Sequence, residues 1–222
     1  MADTIVRLFD RPADALRAVR RLEALGIDED DISMVANNRE GWYDDEGIRH
    51  DRLGGRKDDD GDGKDDRVEG AGEGAATGGL IGAGAGLLAG LGMLAVPGLG
   101  PVVAAGWLAA TATGAAVGAA GGGVIGGILG ALTHEGVHKK DAEVYAETIR
   151  RAGAVVVVRK PGDPRRQIEE ALSDYSTDAV TRGDYYRSSG WSGYDDQAPE
   201  LDPLQIETER ANAAAYRPSQ RM

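Results

Sequence analysis

An α+β fold is predicted by two similar β-α-β patterns that stand on either side of a long segment without charge. The first pattern leads from a β-rich run, TIVRLF, through a helical spacing of apolar residues to ISMVA. The second leads from AVVVVRK through a similar helix to DAVT. Together they predict a ferredoxin-like split β-α-β sandwich, interrupted after its second strand by a long Gly/Ala-rich helical hairpin.

The first half of the sandwich is predicted within residues 1–40. We expect strands at Thr4–Phe9 and Ile32–Val35, with a helix between them. Asp10 is the predicted N-cap, Pro12 fits the first turn, where its missing N–H costs nothing, and Gly26 ends the helix. The apolar face of this helix consists of Ala15, Ala18, Val19 and Leu22.

The second half is predicted within residues 134–182. Strands are expected at Ala154–Arg159 and Asp178–Thr181, and all four strands should form one mainly antiparallel sheet with the helices on one face. An extra amphipathic helix begins this half and stops at Gly153. The apolar positions of the two helices are Ala142, Tyr145, Ala146 and Ile149 in the first, and Ile168, Ala171, Leu172 and Tyr175 in the second.

Two polar regions flank these units. Residues 41–73 form a predicted acidic linker. Residues 183–222 form a polar tail that we expect to be mostly disordered, apart from a short helical pattern near Leu204–Ala215.

The segment 74–133, called the charge-free segment below, contains no Asp, Glu, Lys, Arg or His. Its glycines recur every fourth residue in two series, as in small-xxx-small helix pairs, where glycine lets two backbones approach closely. The predicted helical arms are Gly74–Val96 and Val102–Leu132. The predicted packing glycines are Gly74, Gly78, Gly82, Gly86, Gly90, Gly114, Gly118, Gly122, Gly126 and Gly130, and the predicted turn is Pro97, Gly98, Gly100 and Pro101.

Two environments suit such a hairpin. The first arm would measure about 34 Å as a helix, against a hydrocarbon core of roughly 30 Å, so a membrane hairpin with cytoplasmic flanks is expected. Its eight glycines weaken the helix, because each costs up to about 1 kcal/mol relative to alanine. The hairpin therefore needs a partner or further copies. The alternative is a cytoplasmic homo-oligomer with the hairpins packed in its core.

Composition excludes several classes of function. The net charge of -12 argues against sequence-independent nucleic-acid binding, which depends on Lys and Arg. The absence of cysteine excludes disulfides, thiol catalysis and thiolate metal sites. No secretory signal is expected at the start MADTIVRLFD, no cofactor is indicated, and no catalytic constellation is evident.

Two short motifs match metal-binding patterns. DDDGDGKDDRVE places Asp58, Asp60, Asp62 and Glu69 at calcium-loop spacing, but it lacks flanking amphipathic helices, so a solvated acidic linker is the stronger interpretation. HEGVH matches the zinc-peptidase pattern in which His134 and His138 bind zinc and Glu135 acts on water. A zinc peptidase is the minority alternative, because Gly136 interrupts the motif and no third histidine follows it.

The order of these segments resembles the bacterial general stress proteins with a heat-induced stress protein domain. The resemblance covers about residues 4–180 and is most specific in LAVPGLGPVVAAG with its glycine series. It implies an association with stress and no established enzymatic activity, and it supplies no catalytic residues. The expected protein is therefore non-enzymatic, and inserts into a membrane or self-associates through the charge-free segment.

Overall fold

The protein is represented by a computed structural model that describes residues 4–45, 92–96, 100–109, 123–159, 161–162, 164–195 and 198–217. These residues form a mixed α+β structure built on one antiparallel sheet. The strands are β1 (Thr4–Phe9), β2 (Ile32–Asn37), β3 (Gly92–Val96), β4 (Gly100–Gly106), β5 (Ala154–Arg159) and β6 (Ser176–Thr177). The helices are α1 (Pro12–Ala24), α2 (Trp42–Asp45), α3 (Gly123–His134), α4 (Lys139–Arg150), α5 (Arg165–Ala171), α6 (Ala179–Ser188) and α7 (Pro203–Ala215), with a 3-10 turn at Glu29–Asp31.

The sheet order is β3-β4-β2-β5-β1-β6, and every neighbouring pair is antiparallel. Strand β5 lies between β1 and β2, so the connection through α1 joins two strands that are separated by a third. Strand β1 lies in the same way between β5 and β6, which α5 connects. The bounds predicted for β1 and β5 are confirmed, and β2 extends two residues beyond its predicted end.

Helices cover both faces of the sheet, so the prediction that they lie on one face is wrong. On one face, α1 and α5 pack on side chains such as Phe9, Met34 and Val156. On the other face, α3, α4 and α6 pack on side chains such as Leu8 and Val157. Strands β1, β2, β4 and β5 therefore contribute apolar side chains to both faces, and β5 contains a continuous run of valines because both its faces are buried.

Two predicted positions differ from the structure at the start of helices. Asp178–Thr181 is not a strand, because the Asp178 carboxylate accepts the Thr181 N–H at 2.7 Å and caps α6. Asp10 does not cap α1, because the N-cap of that helix is Arg11. The Asp10 carboxylate instead pairs with Arg182 at 2.6 Å. The apolar faces predicted for α1 and α4 are buried, whereas Tyr175 lies beyond α5 and is 74% exposed.

The charge-free segment contributes strands as well as helix, and this corrects the predicted helical hairpin. The end of the first predicted arm is β3, and the start of the second is β4. Gly100 and Pro101 lie in β4, while Pro97 and Gly98 lie outside the described residues. β-branched Val102 and Val103, and the cost of many glycines in a helix, favour the strand.

The described part of the polar tail is largely helical, whereas the sequence predicts a mostly disordered segment. Helix α6 crosses the predicted domain boundary at residue 182, and α7 begins with a capping box made by Asp202 and Gln205. Ile206 of α7 is fully buried. Trp42 and Tyr43, in the predicted acidic linker, also belong to the core.

Candidate functional site

Most residues of the predicted glycine seam lie outside the described residues. These are Gly74, Gly78, Gly82, Gly86, Gly90, Gly114, Gly118 and Gly122. Gly126 and Gly130 both lie in α3. Gly130 is exposed, and a Cβ built on it would meet no described atom within 4 Å. Within the described residues, Gly130 therefore does not permit a close helix contact.

The HEGVH motif does not form the helix that a zinc peptidase site requires. His134 ends α3, Gly136 adopts a left-handed φ of 84°, and His138 is the N-cap of α4. The two histidines therefore belong to different helices, which contradicts the zinc interpretation at the level of geometry. In the described ranges, no three His, Asp or Glu side chains come together as a metal site would need. The predicted calcium residues Asp58, Asp60, Asp62 and Glu69 lie outside those ranges.

Strand β3 lies at one end of the sheet and pairs with β4 from Gly92 to Val96. No strand of the described part of the chain pairs with its other side. The sequence of β3, GMLAV, contains neither a charge nor a proline, although edge strands are commonly protected by both. The neighbouring strand β4 belongs to the hydrophobic core, because Val102, Val103 and Ala105 are almost fully buried.

A second feature is a group of four charged side chains between α4 and α7, called the ionic cluster: Glu147 and Arg150, which are buried, and Arg151 and Glu209, which are half-buried. Glu147 is 1% exposed and accepts hydrogen bonds from the Arg150 Nη2 and the Arg151 Nε, both at 2.6 Å. Arg151 also donates to Glu209 at 2.8 Å, and Arg150 donates to the Pro199 carbonyl at 3.0 Å. The cluster thus joins α4 to the C-terminal segment.

Hydrogen bonding and charge hold these guanidinium groups in the protonated form. The hydrogen bond to Glu147 is the main cause that raises the pKa of Arg150. Burial lowers the pKa of Arg151, but its hydrogen bond to Glu147 and the two nearby carboxylates raise it overall. Both guanidinium groups therefore stay protonated near neutral pH.

Tyrosines enclose the cluster on the side of α6. Tyr185 donates to Glu209 at 3.1 Å, and the Arg151 guanidinium lies 4.3 Å from the centre of the Tyr186 ring. Burial, followed by the charge and hydrogen bond of Glu209, raises the pKa of Tyr185 to about 12. Burial also raises the pKa of Tyr186, whose hydroxyl bonds with Thr148 at 3.0 Å.

Arg210 of α7 is the most fully bonded of the buried arginines. Its Nε donates to the Asp10 carbonyl at 2.9 Å, its Nη1 donates to Glu40 at 2.8 Å and to Glu207 at 3.0 Å, and its Nη2 donates to Glu40 and to the Ala152 carbonyl. These bonds account for all five guanidinium N–H donors. One side chain of α7 thus connects three separate parts of the sheet domain.

A cavity of about 540 Å³ opens between α7, α6 and the end of β6. Its buried cations are already paired: Arg182 with Asp10, and Arg210 with Glu40. The arrangement therefore serves to attach the C-terminal helix to the sheet. Sequence reasoning missed the ionic cluster, although Glu147, followed by arginines at i+3 and i+4, was a readable sign of its local part.

The fold and these sites define an α+β protein whose sheet ends in an apolar edge strand and whose C-terminal helix is fixed by buried ion pairs. Comparison with protein-family models, curated proteins and solved structures found no match. Among the described helices, none combines the length and the apolar content needed to cross a bilayer.

Proposed function

We propose that this protein is a non-enzymatic, stress-associated protein that self-associates through its charge-free segment. The observation that carries the proposal is the position of β3, a strand without charge or proline at the edge of the sheet. Such an edge presents N–H and C=O groups that a strand of a second copy can pair with. The stress association rests on the sequence resemblance alone.

The distribution of charge supports association at this edge. All Asp, Glu, Lys and Arg residues lie outside the charge-free segment, and the chain carries a net charge of -12. Repulsion between like-charged surfaces keeps chains apart wherever those surfaces would meet. The charge-free edge is where two copies can approach at the least electrostatic cost.

We further propose that β1, α1, β2, β5, α5 and β6 form a ferredoxin-like unit. The order β2-β5-β1-β6 and the two crossover helices on one face support this assignment. Strands β3 and β4 would then form a hairpin that follows β2 along the chain and precedes β5. In the sheet, this hairpin would extend the unit beyond β2. In this arrangement the unit acts as the scaffold that presents the apolar edge.

Cysteine crosslinking tests the self-association directly, because the chain has no cysteine of its own. Leu94, in the middle of β3, is replaced by cysteine, and the exposed Arg20 of α1 is replaced in a control chain. We expect concentration-dependent oligomers in sedimentation velocity and a disulfide-linked dimer with Leu94→Cys only. A monomer at all concentrations, or equal crosslinking of both variants, would refute the proposal.

Membrane association is the second candidate, and residues 74–91 favour it, because they supply eighteen consecutive uncharged residues. As a helix they would measure about 27 Å, against a hydrocarbon core of roughly 30 Å. Flotation with vesicles of neutral lipid, before and after a carbonate wash, separates this candidate from self-association. Flotation that persists after the wash and is lost on deletion of residues 74–91 would favour the membrane form.

A further inference from the structure

The edge of the sheet opposite β3 is only partly covered. Every residue of β1, from Thr4 to Phe9, pairs with β5 on one side of the strand. On the other side, β6 pairs only with Leu8 and Phe9, because the chain then turns away into α6. In the described part of the chain, no strand lies beside the outer edge of Thr4–Arg7.

A cavity of about 440 Å³, the β1 groove, runs along this uncovered edge. Its floor is β1 from Thr4 to Arg7, and its walls come from opposite faces of the sheet. His138, Asp141 and Tyr145 of the α4 region form one wall, and Arg165 and Glu169 of α5 form the other. A slot walled on both faces admits an extended chain in the plane of the sheet and excludes a folded surface.

The backbone of this edge already bonds to a side chain in place of a strand. The Arg7 Nη1 donates to the Val6 carbonyl at 3.2 Å. It is the only hydrogen bond, apart from those of the sheet, that the Val6 backbone makes with the described residues. A partner strand would supply an N–H at that carbonyl, and the Arg7 side chain would then move aside.

The charged groups of the β1 groove favour a basic ligand. Asp141 forms no ion pair with a described residue, and the Asp178 carboxylate caps α6. Arg165 is paired with Glu169 at 3.1 Å. Arg7, the other arginine that lines the groove, donates to the Val6 carbonyl and forms no ion pair with a described residue. Burial, with the charges of Asp141 and Asp178, raises the pKa of Tyr145 and keeps its hydroxyl protonated.

From these observations we propose that the β1 groove binds an extended peptide segment of another protein by strand addition, with a lysine or arginine side chain of that segment placed at Asp141 and Asp178. Main-chain hydrogen bonds to Thr4–Arg7 supply the affinity, and the acidic end of the groove selects the side chain. This site lies at the far edge of the sheet from β3 and is independent of self-association.

The probe is an acetylated and amidated five-residue peptide of alternating valine and lysine, labelled for fluorescence anisotropy. We expect it to bind the full chain at least about threefold more tightly than the same peptide with glutamate for lysine. Asp141→Asn should remove most of that preference. N-methylation of alternate peptide nitrogens should abolish binding, because it removes the donors that a strand needs.

Arg7→Met tests the role of the side chain that occupies the edge. Freeing the Val6 carbonyl should tighten binding of an uncharged valine–threonine peptide about threefold to tenfold, the equivalent of one ordinary hydrogen bond. Arg20→Met, an exposed change on α1, is the matched control and should leave binding unchanged.

Hydrogen exchange of the unaltered chain gives a readout that requires no variant. Saturating lysine peptide should slow amide exchange within Thr4–Arg7. Protection confined to other segments, or equal binding of the N-methylated peptide, would overturn the proposal. Dimerisation of Arg7→Met without any peptide would also overturn it, because the occupant would then be a second copy of this chain.

Discussion

Arg210 and Glu40 form a two-pronged ion pair that joins the C-terminal helix to the loop after β2. The side chain of Arg210 is only 8% exposed, whereas that of Glu40 is 32% exposed, so the guanidinium is shielded from water and the carboxylate is partly solvated. Burial lowers the pKa of Arg210, but its bonds to Glu40 and Glu207 raise it overall. The two residues are 170 positions apart in the sequence, so their pairing fixes the tail onto the fold.

We expect Arg210→Met to destabilise the protein by about 1–3 kcal/mol, because it leaves the Asp10 and Ala152 carbonyls without their donor and removes the partner of Glu40. Arg210→Lys should recover little of this loss, since an ammonium cannot bond bidentately to Glu40 while reaching the Asp10 and Ala152 carbonyls. Urea unfolding measures the change. Arg217→Met is the control, because Arg217 is exposed and bonds only to nearby carbonyls of α7 and its end. An equal, small effect of both changes would contradict the anchoring role.

Gly106, at the end of β4, should tolerate alanine much less well than Gly41. Both adopt a left-handed φ, of 78° and 70°, so the conformational cost of alanine is similar, about 1 kcal/mol at each. A Cβ at Gly106 would lie 2.2 Å from the Ile32 carbonyl oxygen, whereas one at Gly41 would meet no described atom within 4 Å. We expect Gly106→Ala to cost about 2–4 kcal/mol in all. Urea unfolding of the two alanine variants measures the loss of stability at each position. Equal losses would show that the clash at Gly106 relaxes at no cost in free energy.

The strand bounds that sequence reasoning obtained correctly belong to β1 and β5. Each is a short β-branched run next to turn or capping residues, and local preference and burial agree there. β4 was missed because the glycine series dominated the interpretation, although the sequence held a sign. The series stops at Gly90 and resumes at Gly114, and the two strands lie between those residues.

The link between the ionic cluster and α7 was beyond sequence reasoning for a different reason. Its partners come from distant parts of the chain, such as Arg151 and Glu209, and no periodic pattern relates them. The tail also has a polar composition, which suggests disorder when it is read alone. Helix α7 is held in place by the burial of one apolar residue, Ile206, and by paired charges. The burial and the charge pairing both depend on the surface that the sheet domain provides.

Stability should fall at alkaline pH as the tyrosines around the cluster ionise. The pKa of Tyr185 is raised to about 12, above the value near 10 of an unfolded tyrosine. The folded state therefore holds its proton to higher pH than the unfolded chain. Stability is complete below pH about 10 and declines as the pH rises towards the folded-state value.

Urea unfolding at pH 8 to 11 measures this decline, and absorbance at 295 nm follows tyrosine ionisation in the folded chain. Tyr185→Phe should reduce the slope, and Glu209→Gln should lower the pKa of Tyr185, since the charge of Glu209 contributes to the shift. An unchanged slope in both variants would show that Tyr185 does not carry this pH dependence.

Gly130 distinguishes a packing glycine from a glycine that merely weakens a helix. It lies inside α3, and no described atom comes within 4 Å of its Cβ position, so Gly130→Ala should stabilise the protein by about 1 kcal/mol, the difference in helix propensity. Gly183 in α6 is the matched control, since a Cβ there would come within 3.1 Å of Val144, and the tight contact offsets the gain. Thermal unfolding measures both variants. If Gly130 instead packs against a second copy, alanine would lower the oligomer fraction in sedimentation velocity, and that result would restore this glycine to the predicted seam.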